Sequence, residues 1–344
     1  MVWLFPNPRL FSDPVSLLDT ALRLSGQRSI SVHTDIYASA DIWKYLSLHS
    51  YRWKGHPSRD GRLLRTSRCS AKRRPSCPRE AYSQHDHACE ALNASPRLTN
   101  LTLINDGGSV MTADLPWHQL THLALLSRGT LPEVIHLLRL SPCLQVLEAL
   151  GTQVQQSWTV PLEPISHPSL CRLQVSDITI LQHLILPTLS DLDLVGATNE
   201  QGRADIICSL LSWSKSTLRK FKIVCGTSLH GLMNVLRATP KLTELTVEAL
   251  EMEEGFVKDF FQAKDFLSSL QKVSFTVGNF IPSLEANTVL VDAMERRWGS
   301  AMRSCYISAP SIDWQIADDD AVRIKKMRGE GLDLMIIYAN QRVL

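Results

Sequence analysis

Apolar positions recur along this chain in one short phrase: an apolar residue, two free positions, an apolar residue, one free position, and a third apolar residue. Copies begin at Leu98, Leu120, Leu144, Leu170, Leu189, Leu218, Leu242 and Leu270. In Leu189-Ser190-Asp191-Leu192-Asp193-Leu194, leucine and aspartate alternate, so one face is apolar and the other charged, as in a half-buried strand. The Gly196–Gly202 stretch that follows reads as a loop. Ile206, Ile207, Leu210 and Leu211 then return at three- and four-residue spacing and stripe one face of a helix. The same order of strand, loop and helix is predicted after Leu120, with a helix over Leu131–Leu140 and Pro132 in its first turn. It is predicted again after Leu170 (helix Ile178–Leu186), Leu218 (helix Leu229–Ala238) and Leu242 (helix Gly255–Ala263).

Pro96, Pro142, Pro168, Pro187 and Pro240 each stand two residues before the first leucine of a copy. Proline cannot continue a helix and pushes its predecessor out of the α region, so it ends one element and admits an extended one. Regular alternation of strand and helix implies parallel pairing through right-handed crossovers. A period of ~25 residues with an L-x-x-L-x-L core is the mark of a leucine-rich solenoid, in which stacked repeats bury a core that no single repeat could. The expected fold class is therefore α/β, an irregular leucine-rich-repeat solenoid with parallel strands and outer helices. Irregularity is expected because the loop position that commonly holds asparagine or cysteine is occupied by Asp106, Arg128, Ile178, Ala197, Gly226, Leu250 and Gly278. Towards the end, Val289, Val291, Met294 and Trp298 line a helix, Tyr306–Ser308 and Leu332–Tyr338 read as closing strands, and Asp318–Asp320 cap a helix beginning near Ala321.

Charge changes the picture in one place. The whole chain carries a formal net charge of only +2, with 44% hydrophobic and 20% charged residues. From Arg52 to Arg79, however, ten basic residues face the single acid Asp60, among prolines and serines and few apolar residues. Three segments follow: 1–53, a helix–strand–helix start of the array; 54–87, a basic, disordered insertion; and 88–344, the repeats with a closing C-terminal repeat. The basic segment 52–79 supplies the alternative function, nucleic-acid or chromatin binding. It is the weaker reading, because no aromatic residue stands between Lys54 and Arg79 to stack on a base.

Cys69, Cys77, His85, His87 and Cys89 invite a zinc reading, but their C-x7-C-x7-H-x-H-x-C order lacks close-paired ligands, so no metal site is assigned. The 8 cysteines are scattered and are read as reduced thiols, mostly core filler. Met1–Phe11 is too short and too proline-interrupted for a secretory signal. No run approaches the ~18 apolar residues of a membrane span. A cytoplasmic or nuclear protein with no membrane contact is expected.

Several phrases resemble a known family. Ser47-Leu48-His49-Ser50-Tyr51-Arg52-Trp53, then Leu115-Pro116-Trp117-His118-Gln119-Leu120-Thr121-His122-Leu123, look like the F-box/leucine-rich-repeat-like proteins abundant in mushroom-forming fungi. Met294-Glu295-Arg296-Arg297-Trp298 and the closing Gly331-Leu332-Asp333-Leu334 do so too. The similarity spans residues 14–53 and 88–340. The resemblance implies protein binding as the substrate-recognition part of an F-box-type ubiquitin-ligase receptor, with a protein substrate and the cullin-ligase adaptor as partners. An F-box opens with a Leu-Pro-x-Glu-type helix, and Met1–Asp13 holds none, as if the chain began where that module ends. Adaptor docking therefore rests on the resemblance alone.

The strand positions between the buried leucines point to the other face and form the candidate binding surface: His122, Arg172, Gln174, Asp191, Asp193, Lys220, Lys222, Glu244 and Lys272, with Asn100 and Thr102 before them. The acidic pair Asp191 and Asp193 lies beside the basic pair Lys220 and Lys222. Such charges either satisfy one another across the ladder or meet a polar protein partner. No Walker, Rossmann, H-E-x-x-H or G-x-S-x-G motif occurs, so neither catalysis nor a cofactor is expected.

Overall fold

The computed structural model describes residues 99–103, 115–126, 130–150, 163–197, 202–225, 231–251, 256, 259–260, 266–279, 291–292, 294–296, 298, 301–309, 317–338 and 341–342. The N-terminal start at 1–53, the basic insertion at 54–87 and the cysteine–histidine cluster lie outside the described residues. The chain is α/β, with parallel strands and a few helices, and divides into two compact units, Met1–Leu147 and Glu148–Leu344.

In the first unit, β1 (Asn100–Leu103) pairs in parallel with β2 (His122–Leu125), Leu101 opposite Leu123. The helix α1 (Leu131–Leu140) occupies the predicted span. Thr130 opens it: its backbone N–H donates to Glu133 Oε2 at 2.8 Å, one half of a capping box, and Pro132 sits where its missing N–H costs nothing. Val134, Ile135, Leu137 and Leu138 give α1 its buried face. The division between the units falls inside β3 (Val146–Ala149).

In the second unit, the small parallel pair β4 (Ile165–Ser166) and β6 (Leu184–Ile185) stands apart from the main sheet. That sheet runs in order β5 (Arg172–Val175), β7 (Asp191–Ala197), β8 (Lys220–Cys225), β9 (Glu244–Glu251), β10 (Lys272–Asn279), β11 (Ser304–Ala309) and β12 (Asp333–Tyr338), all parallel. The short β13 (Gln341–Arg342) closes it antiparallel to β12. Between the strands lie α2 (Arg203–Ser214), α3 (Leu232–Arg237) and α4 (Asp318–Gly329).

Two regular devices connect the apolar phrase to this sheet. The phrase residues align across strands and are buried: Leu173, Leu192, Phe221, Leu245, Val273, Cys305 and Leu334 form one row of the core. The carbonyl just after each first apolar residue accepts two consecutive N–H groups from the next copy. Cys171 O takes Ser190 and Asp191 at 2.9 and 3.1 Å, Ser190 O takes Arg219 and Lys220 at 2.8 and 2.9 Å, and Arg219 O takes Thr243 and Glu244 at 2.8 and 3.0 Å. Thr243 O and Gln271 O repeat the arrangement with Gln271/Lys272 and Arg303/Ser304. The strands β7 to β11 thus start at the same phase.

The prolines do more than stop a helix. In Leu186-Pro187-Thr188-Leu189 and Thr239-Pro240-Lys241-Leu242, the leucine N–H donates back to the first carbonyl, at 3.2 and 3.1 Å. Proline occupies the second position of each β-turn, where its fixed φ is favoured.

Three expectations shift. Ile178–Leu186 is not one helix: Ile178–His183 forms a 3-10 helix, and the chain becomes strand β6 at Leu184. The cause is the short 19-residue step from Leu170 to Leu189, which leaves little room for a full α-helix. Asp177 holds the tight start, its Oδ1 accepting from Thr179 N and Oγ1 at 2.9 and 2.7 Å. The expected Leu229–Ala238 helix is α3, narrowed to Leu232–Arg237 and preceded by Gly231 at φ +79°, where a Cβ would lie 2.6 Å from Ala204 Cβ of α2. Asp318–Asp320 form the first turn of α4 rather than a cap before it, and Asp320 is buried. Of the Gly255–Ala263 span, Phe256, Asp259 and Phe260 are described as helical, and the two rings pack edge-on against Phe275 of β10.

Candidate functional site

Because side chains alternate along a strand, every residue between two core residues points to the opposite face. In the second unit, the parallel register sets these residues in rows. The first row runs Arg172, Asp191, Lys220, Glu244, Lys272, Ser304 and Asp333. The second runs Gln174, Asp193, Lys222, Thr246, Ser274, Tyr306 and Met335. Eight of the nine candidate residues therefore share this one surface. His122 belongs to the first unit, on β2, with its Nδ1 2.8 Å from Thr121 Oγ1. Asn100 and Thr102 stand on β1, in register with His122 and Ala124.

Charges of the first row alternate in sign and meet one another. Arg172 reaches Asp191 at 3.7 Å, Lys220 reaches Glu244 at 3.0 Å, and Lys272 reaches the same Glu244 at 3.7 Å. Ser304 Oγ donates to Asp333 Oδ2 at 3.2 Å. The ion pairs connect different partners from those expected. Lys222 bonds Glu248 of β9 at 2.8 Å, and Asp191 turns to Arg172 of β5. Glu248 lies beyond the apolar phrase, so the phrase alone does not point to it. Its signal was the continued alternation of Glu244–Glu251.

Burial tunes this surface unevenly. Asp193 is only 8% exposed and its Oδ1 is buried with no hydrogen-bond partner. Burial pushes its carboxyl up to about 6, against the pull of Lys222 and Arg172. Asp191 is also raised, first by burial, with Arg172 and Lys220 pulling the other way. For Lys222 the largest single effect is burial, which lowers its hold on the proton. The Glu248 hydrogen bond and the charges of Glu248 and Asp193 outweigh it, so the net shift is upward.

Past Lys272, Asp333 is the remaining charge of the first row, and the rest of the face changes character: Ser274, Thr276, Tyr306, Ser308, Met335 and Ile337 bring hydroxyls and apolar groups. Among the described residues, no group of three or more His, Cys, Asp or Glu is placed to hold a metal ion, and no helix is long and apolar enough to cross a membrane. Burial lifts the Cys305 thiol to about 12, which keeps it protonated beside Met294.

No family model matches the chain, and no curated protein is significantly similar to it.

Proposed function

We propose that this chain is a protein-recognition solenoid of the leucine-rich type, the substrate-recognition part of an F-box-type ubiquitin-ligase receptor, with no catalysis of its own. The observation that carries the recognition role is the in-register face of the second unit, from Arg172 to Asp333, where parallel strands set polar side chains in straight rows over a leucine core. Strands in one sheet lie about 4.8 Å apart, so seven of them offer a broad surface of fixed geometry. Paired charges such as Lys220–Glu244 confer specificity and steering more than bulk affinity. Tyr306 and Met335 belong to residue types enriched at protein interfaces. The receptor role itself comes from the resemblance of the Leu115–Leu123 and Met294–Trp298 phrases to the fungal F-box/leucine-rich-repeat-like proteins.

The test is affinity purification of the tagged chain from its native cell extract, probed for the cullin-ligase adaptor. Adaptor in the eluate supports the receptor role. Other proteins retained by the wild-type chain, and lost when Tyr306 and Met335 are both replaced by Ala, support recognition by this face without the ligase. Retention of nothing overturns both. If residues 54–79 bind nucleic acid, their deletion abolishes nucleic-acid retention and leaves protein partners in place.

A further inference from the structure

Two carboxylates on the strands either side of β8 flank one cation. Asp193 of β7 stands directly opposite Lys222 of β8, and Glu248 lies on β9, on the other side of Lys222. Lys222 Nζ is bound to Glu248 Oε1 at 2.8 Å, while Asp193 keeps a buried oxygen with no donor. A buried carboxylate oxygen without a donor is costly when ionised, and the cost falls sharply when the group is neutral. Such an environment favours the protonated form of Asp193. Lysine carries three donors on a flexible four-carbon stem, so it can turn from one neighbouring strand to the other.

We propose that Lys222 is a two-position latch: it holds Glu248 while Asp193 carries its proton, and swings to Asp193 when that carboxyl releases the proton to water. The groups facing Asp193 favour this exchange over alternatives. From β5 come Arg172 and Gln174, from its own strand Asp191, from β8 Lys220 and Lys222, and from β9 Glu244 and Glu248. Arg172 is engaged by Asp191 and Lys220 by Glu244, which leaves Lys222 as the cation shared between Asp193 and a competitor. On the acidic side of the transition, Glu248 is neutralised by Lys222. On the neutral side Glu248 is released, and the face gains one free negative charge. A partner bearing a basic side chain opposite Glu248 is then bound more tightly at neutral pH. This consequence for binding rests on the recognition reading above; the latch itself does not.

The experiment is a pH titration of the full chain between pH 4 and 8, followed by NMR at the Asp193 carboxyl carbon, the Glu248 carboxyl carbon and the Lys222 side chain. The Asp193 carboxyl is expected to titrate near 6, and the Lys222 and Glu248 signals to move with the same midpoint. In Asp193→Asn, the Lys222 transition disappears. In Glu248→Gln, with the competing anion gone, the Asp193 midpoint falls by roughly one unit. Titration of Asp193 near 3.8, or a Lys222 signal that ignores the Asp193 midpoint in the wild-type chain, overturns the latch. Loss of the latch leaves the affinity-purification result untouched, and an empty purification leaves the titration untouched.

Discussion

The outward face of the second unit has two halves built on one backbone. From β5 to β9 it is a lattice of opposite charges, Arg172, Asp191, Lys220, Glu244, Lys222 and Glu248, largely closed on itself. From β10 to β12 charge is confined to Lys272 and Asp333 at the strand starts, and the rest is neutral, with Ser274, Tyr306, Ser308, Met335 and Ile337. Beneath both halves the buried rows are continuous, Phe221 and Ile223 under one, Phe275 and Ile307 under the other. The ladder needs only backbone N–H and C=O groups and an apolar inner side. The outer residues are therefore free to differ, and one scaffold carries two chemical surfaces.

The comparison breaks most strongly at the core. Phe221→Ala and Phe275→Ala, one under each half, are each expected to cost about 3–5 kcal/mol by denaturant unfolding, because both rings are fully buried. A much smaller loss at Phe275 would mean that the neutral half is loosely packed and does not share the scaffold. Next is Arg323 of α4, whose guanidinium meets Asp292 at 2.7 Å, Glu295 at 2.6 Å and Asp320 at 3.1 Å. It pins α4, which leads into β12, to the helical residues around Asp292. Arg323→Ala is expected to cost about 2 kcal/mol, with Arg323→Lys intermediate because an ammonium cannot reproduce the fork.

Asp193 sharpens the comparison through pH. Its folded carboxyl is raised to about 6 from an ordinary 3.8, so the stability tied to its proton is full below 3.8 and lost as pH rises through 6. Asp193→Asn, neutral at every pH, should match wild type in stability near pH 3.5 and exceed it above pH 6.5 by about 1–2 kcal/mol after solvent screening, read as a higher melting temperature there. Equal melting temperatures across that range would show that Asp193 is not a burdened acid. The smallest effect belongs to the exposed pairs. Lys220→Ala should cost less than about 1 kcal/mol and less still in high salt. A larger, salt-insensitive loss would mean that the charged half is a cooperative network.

The apolar half of the strands that carry the eight copies was legible in the sequence, because a period of two that buries one face leaves little freedom in which residues point inward. The α1 boundaries were equally plain, since Thr130, Pro132 and Glu133 are all local helix-start signals. A further copy of the phrase, Met302-x-x-Cys305-x-Ile307, lies in register with Val273 and Phe275 but is not spelled in leucines. Methionine and cysteine fill a core as well as leucine does, yet they do not spell the pattern.

By itself, then, the sequence determined the inward rows, the strand phase and the proline stops between elements, all of which follow from local geometry and from burying apolar side chains. Only the tertiary structure decided which charge meets which. Lys222 could turn to Asp193 or Glu248, and Asp191 to Arg172 or Lys220. Spacing along the chain cannot choose between neighbours that are equally near across the sheet. The burial of Asp193 was decided there as well, because it depends on what the side chains of β5 and β8 cover once the strands are side by side.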